Sequence, residues 1–105
     1  MRSLLAIFMM LPALAFADDL EHKLIIRDHR FEPVELRVPA GKKIKLIIEN
    51  QDSSAEEFDS HALNREKVIP SKSTGFVFVG PLSPGRYPFI GEFHSDTANG
   101  VLIAE

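Results

Sequence analysis

Hydrophobic residues in this chain recur at every second position, and no stretch carries a sustained helical stripe. Val34, Leu36 and Val38 alternate with Glu35 and Arg37, and Ile44, Leu46 and Ile48 alternate with Lys43, Lys45 and Ile47. Leu24 with Ile26, Tyr87 with Phe89, and Val101 with Ile103 repeat the pattern. Successive side chains of a strand point to opposite faces, so this period marks strands with one buried face. The run 76–79, Phe-Val-Phe-Val between Gly75 and Gly80, reads as a strand buried on both faces. Residues 39–42 and 81–85 are turns by their Pro and Gly content. Short strands at this spacing pack as two sheets, which predicts an all-β, Greek-key β-sandwich of six to eight short strands.

Residues 50–73 are the one long stretch without clear periodicity. They open on the turn-forming series Asn50, Gln51, Asp52, Ser53 and Ser54, and 62–68 reads as a helical turn with Ser60 as its N-cap. A loop of that length in a small domain is usually functional or mobile.

Residues 1–17 have the organisation of a secretory signal: Arg2, an apolar run over 4–14, and Ala15-Phe16-Ala17 as a cleavage site. Export is therefore expected, with 18–105 as a single domain and no membrane insertion after cleavage. The formal charge is −3 and no basic cluster is present, which gives no footprint for nucleic acid or anionic lipid. There is no cysteine, and Met1, Met9 and Met10 all precede residue 18. The expected mature domain thus contains no sulfur, so it must stand on its core, and any ion it holds must be bound by nitrogen and oxygen.

The last two strand-like runs flank a polar loop carrying Glu92, His94 and Asp96. Imidazole and carboxylate on a loop between strands suit a metal ion, although a lone loop histidine more often bonds the backbone.

Phe31-Glu32-Pro33, the run 36–41 (Leu-Arg-Val-Pro-Ala-Gly), the run 44–50 with Asp52, the run 84–87 (Pro-Gly-Arg-Tyr), Phe93-His94 and Gly100 together resemble a cupredoxin domain. Glu56-Glu57-Phe58-Asp59-Ser60, the run 63–68, and Gly91-Glu92-Phe93-His94 resemble a narrower group. These are the periplasmic cupredoxin-like proteins that accompany iron permeases in bacterial ferrous iron uptake. The resemblance implies a cupredoxin fold, a periplasmic location, and as partners an inner-membrane iron permease and other uptake components.

The sequence departs from the blue-copper pattern in its ligands. Glu56 falls where the first histidine of that pattern would be, Gly91 where the cysteine would be, and Thr97 or Ala98 near the methionine; His94 alone is retained. A blue-copper centre depends on its copper–thiolate bond, so it cannot form here. In the cupredoxin arrangement one end of the sandwich would gather His29, Glu56, Glu57, His61, Glu92 and His94. That donor set suits Fe(II), Fe(III), Mn(II), Zn(II) or Cu(II), and the resemblance implies a copper and/or iron ion, held better in its oxidised state by oxygen-rich, anionic surroundings. Glu56 and Glu57 are adjacent and point oppositely in an extended chain, so one of them, Glu56 by alignment, is the expected ligand. The function implied is metal binding that aids Fe(II) oxidation or delivery to the permease. Two alternatives stand beside it: a copper-binding or electron-transfer protein unrelated to iron, and a metal-free module that docks a transporter through the 50–73 loop.

Overall fold

The computed structural model describes residues 20–105, so the expected signal at 1–17 lies outside the described residues. Nine strands and one short 3₁₀ turn are formed among the described residues. In chain order they are β1 (Glu21–Arg27), β2 (Arg30–Glu32), β3 (Glu35–Val38), β4 (Ile44–Asn50), β5 (Glu56–Ser60), β6 (Arg65–Ile69), β7 (Ser73–Val79), β8 (Gly85–Gly91), the turn η1 (Glu92–His94) and β9 (Asn99–Ala104). They form a four-stranded sheet in the order β2-β1-β4-β7 and a five-stranded sheet in the order β3-β9-β8-β5-β6. β1 runs parallel to β4 and β3 parallel to β9, while every other pairing is antiparallel. This is the all-β sandwich that the alternation predicts.

Burial follows the period of two. Ile44, Leu46, Ile48 and Asn50 of β4 are buried while Lys45, Ile47 and Glu49 are only partly so. The inner face of the four-stranded sheet supplies Leu24, Ile26, Ile44, Leu46, Ile48, Val77 and Val79, and the opposing sheet supplies Leu36, Val38, Phe58, Ile69, Phe89 and Leu102. Phe31, Phe58 and Phe89 interlock near one end: Phe31 meets Phe89 edge-on at 5.0 Å and Phe58 at 6.2 Å, and Phe58 lies 5.2 Å from Phe89. Edge-on pairing sets the positive rim of one ring against the negative face of another.

Three sequence readings are corrected. The stretch 50–73 is not an irregular loop but contains the hairpin β5–β6, and these two strands with the three-residue β2 bring the number to nine where six to eight are expected. β6 escapes detection because it is an edge strand, exposed at four of its five positions, and so lacks a hydrophobic stripe. No helical turn forms over 62–68; Ser60 nevertheless accepts the N–H of Leu63 at 3.0 Å inside the hairpin turn. Finally, β7 is buried on one face only. Phe76 and Phe78 project outward, 47% and 41% exposed, with the ammonium groups of Lys45 and Lys43 above their rings at 4.6 and 4.5 Å.

Candidate functional site

Glu56 opens β5 with a side chain that is 1% exposed. A carboxylate withdrawn from water is costly unless its oxygens are hydrogen-bonded. Oε1 of Glu56 accepts the backbone N–H of Glu57 at 2.9 Å and of Phe93 at 2.8 Å, and Oε2 lies 2.7 Å from Nδ1 of His94. Three partners thus hold the carboxylate, and two of them come from η1, just after β8.

Room for this carboxylate exists because residue 91 has no side chain. A Cβ built on Gly91 would meet Cδ of Glu56 at 2.6 Å, its Oε2 at 2.7 Å and Cβ of Ala98 at 2.7 Å. The Glu56 carboxylate therefore fills the space into which a side chain at 91 would project. The 3₁₀ turn brings His94 over it, and the His94 carbonyl accepts the N–H groups of Thr97 at 3.1 Å and Ala98 at 2.8 Å.

His29 reaches the same place from the other sheet. It sits in the two-residue turn between β1 and β2, where Asp28 and His29 both have positive φ, +55° and +58°. A type I′ hairpin turn demands that conformation at both central positions and usually takes Asn and Gly, so His29 is held against its own preference. Asp52 holds it, accepting the N–H of Asp28 at 2.8 Å on one oxygen and of His29 at 3.0 Å on the other. Asp52 is oriented in turn by Asn50, whose Oδ1 accepts the N–H of Asp52 at 3.0 Å. From β9's side, Thr97 Oγ1 donates to the His29 carbonyl at 2.6 Å. The His29 ring consequently stacks on His94, with centroids 3.6 Å apart and planes inclined by 14°.

Burial alone would raise the Asp52 carboxyl, but the N–H groups of His29 and Asp28, with the imidazoles of His29 and His94 nearby, hold it below its ordinary range. Glu57 and Glu92 behave oppositely. Desolvation and then Glu66 push Glu57 up, and the hydrogen bond with Asp59 and then desolvation push Glu92 up.

Of the six residues that the sequence puts forward, the structure brings Glu56, His94 and His29 together. Glu57 and Glu92 turn instead toward Asp59 and Glu66, because alternate residues of β5 face opposite ways and η1 rotates Glu92 away from His94. His61 lies beyond the far end of β5, lining a cleft of about 390 Å³ with Asp59, Ser60, Asn64, Arg65 and Glu66. Among the described residues, no group of three or more His, Cys, Asp or Glu is arranged to hold an ion. Asp52 and Thr97 build the site without having been singled out for a role in it, since nothing in the sequence shows that they reach His29 from 23 and 68 positions away.

The donor chemistry can be tested against an ion directly. No thiolate exists in the chain, so a blue-copper centre does not fit. Both Glu56 oxygens are engaged and buried, whereas His94 keeps Nε2 and a side chain 24% exposed. A histidine that holds a carboxylate on one nitrogen and presents the other is the arrangement found behind metal-bound imidazoles, so an ion bound through Nε2 does fit. The stacked rings lie in nearly parallel planes, and an in-plane lone pair from each cannot meet at one ion about 2 Å away without one ring turning.

Comparison with known proteins agrees with this architecture. A cupredoxin-like domain model matches residues 1–104. An uncharacterised protein of Rickettsia prowazekii (strain Madrid E) is 46% identical over 84 residues, covering 80% of this chain and 67% of its own. Among solved structures, the blue copper protein auracyanin A of Chloroflexus aurantiacus superposes with a TM-score of 0.70 at 14% identity, over 81% of this chain and 98% of its own. A purple cupredoxin of Nitrosopumilus maritimus gives a TM-score of 0.61 at 16% identity, over 79% and 98%. The fold and the full-length family match together establish that the chain belongs to the cupredoxin-like domain family.

Proposed function

We propose that this is an exported, periplasmic metal-binding protein that takes up copper or iron at His94 and passes it on, serving ferrous iron uptake through an inner-membrane permease. The observation that carries the metal reading is the buried Glu56 carboxylate on Nδ1 of His94, which leaves Nε2 as the nitrogen that Glu56 does not take, on a partly exposed ring stacked with His29. His94 would hold the ion, His29 would join it by turning about its side-chain bonds, and water would complete the coordination. Imidazole and water suit Cu(II), Fe(II) and Fe(III) and give no preference for Cu(I). The ion would supply redox chemistry, Fe(II) giving its electron to an acceptor outside this chain. The chain's own part is to keep Nε2 available and to set a buried negative charge behind it, which favours the oxidised ion. The assignment to iron uptake rests on the resemblance of residues 56–60, 63–68 and 91–94 to the permease-associated group.

Anaerobic titration of the purified protein with Fe(II) and with Cu(II), beside His94→Ala, tests the reading. One ion per chain is expected, with affinity falling at least tenfold in the variant, and Fe(III) should form faster than in buffer once oxygen is admitted. Copper binding without any effect on iron would favour the copper protein unrelated to iron. A second reading, a metal-free docking module, is favoured by one observation, which lies on β7 and not on the 50–73 stretch: the outward Phe76 and Phe78 with Lys43 and Lys45 above them. It predicts no stoichiometric binding of either ion.

A further inference from the structure

We infer that Glu56 is a positioning residue that fixes the tautomer of His94, placing the ring proton on Nδ1 and keeping Nε2 as the bare, ligand-ready nitrogen. The inference rests on the metal-binding reading above, but its first test needs no metal. A carboxylate can only accept, so with Glu56 as the carboxylate the 2.7 Å contact between its Oε2 and His94 Nδ1 assigns the ring proton to Nδ1. The orientation of the carboxylate is itself determined. Oε1 already takes two backbone N–H groups, from Glu57 and Phe93, which leaves Oε2 facing the ring. Gly91 leaves the carboxylate this space, since a Cβ there would stand 2.7 Å from Oε2. Imidazoles bind ions through an unprotonated nitrogen, so a carboxylate on Nδ1 selects which edge of the ring is competent. The competent edge is the outer one.

Glu56→Gln is the discriminating substitution because it preserves shape and reverses one polarity. Two N–H donors converge on the Oε1 position, so the amide oxygen of glutamine must occupy it and the NH₂ must take the place of Oε2. The NH₂ donates, Nδ1 becomes the acceptor, and the ring proton moves to Nε2. The variant therefore blocks the outer nitrogen without removing the ring.

The experiment begins with ¹⁵N-labelled, metal-free full-length protein at a pH where His94 is neutral. Nitrogen shifts should show a protonated Nδ1 and a bare Nε2; a proton on Nε2 in the wild type overturns the inference, whatever any variant does. In Glu56→Gln the two shifts should exchange while the amide signals of Glu57 and Phe93 stay in place, and Cu(II) affinity should fall by about 10- to 100-fold. Unchanged shifts in the variant, or exchanged shifts with unchanged Cu(II) affinity, also overturn it. The metal-binding reading fails by a different result: Cu(II) binding that survives His94→Ala, with the wild-type tautomer as assigned.

Discussion

One methyl group is enough to set Gly91 against Glu56. The added carbon of Gly91→Ala would stand 2.6–2.7 Å from the Glu56 carboxyl and from Cβ of Ala98, and neither the buried strand nor the carboxylate, with three hydrogen bonds, moves freely. Overpacking of this kind costs about 1–3 kcal/mol. Trimming Glu56 to alanine removes one of the two colliding partners, so Gly91→Ala and Glu56→Ala should be non-additive, with a favourable coupling of about 0.5–3 kcal/mol. Urea denaturation of the two single variants and the double variant measures it. Additive effects would mean that position 91 is constrained by Ala98 alone. The pair also shows that the carboxylate from position 56 fills the space into which a side chain at 91 would project.

At the scale of elements, the site depends on a turn held from outside itself. Asp52 carries the β1–β2 turn by taking the N–H groups of two consecutive left-handed residues, and the stack of His29 on His94 follows from that turn. Asp52→Ala should lower stability by about 1–2 kcal/mol, as expected for losing charge-assisted hydrogen bonds in a half-exposed setting. The sign of its pH dependence follows from the lowered Asp52 carboxyl. Its contribution is complete above the unfolded value near 4 and is lost as pH falls through the lower folded value. The difference in Tm between wild type and variant should therefore be widest near neutrality and close toward strongly acidic pH; a difference that grew on acidification would contradict this role. Such cooperation marks the limit of what the sequence shows. β1, β3, β4, β8 and β9 announce themselves through alternation, and His94 through its place in the last loop. β6 does not, because an exposed edge strand has no apolar stripe. The opposite facing of Glu56 and Glu57 does follow from their adjacency, but the turning of Glu92 away from His94 does not, since it depends on the 3₁₀ turn that follows β8 and on Asp59 beside it.

For the whole molecule, the absence of disulfides leaves stability to the core between the sheets, and the site is built on that core. Phe58 connects the two. It is fully buried, it packs on Phe31 from the four-stranded sheet and on Phe89 from its own, and it lies two residues from Glu56 on the same inward face of β5. Truncating a buried phenylalanine costs about 3–5 kcal/mol, through lost burial and the cavity left behind. A domain of this size holds about 5–15 kcal/mol in total, so Phe58→Ala should remove a large share of its stability. The loss should spread into the site as well, because β5 would no longer be pinned at the register that delivers Glu56 beneath His94. Urea denaturation should show a lower midpoint, and at 10 °C, where the variant remains mostly folded, the His94 nitrogen shifts should broaden or average. A lower midpoint with sharp, unchanged His94 signals would show instead that the Glu56–His94 pair is held by its own hydrogen bonds and not by the core beneath it.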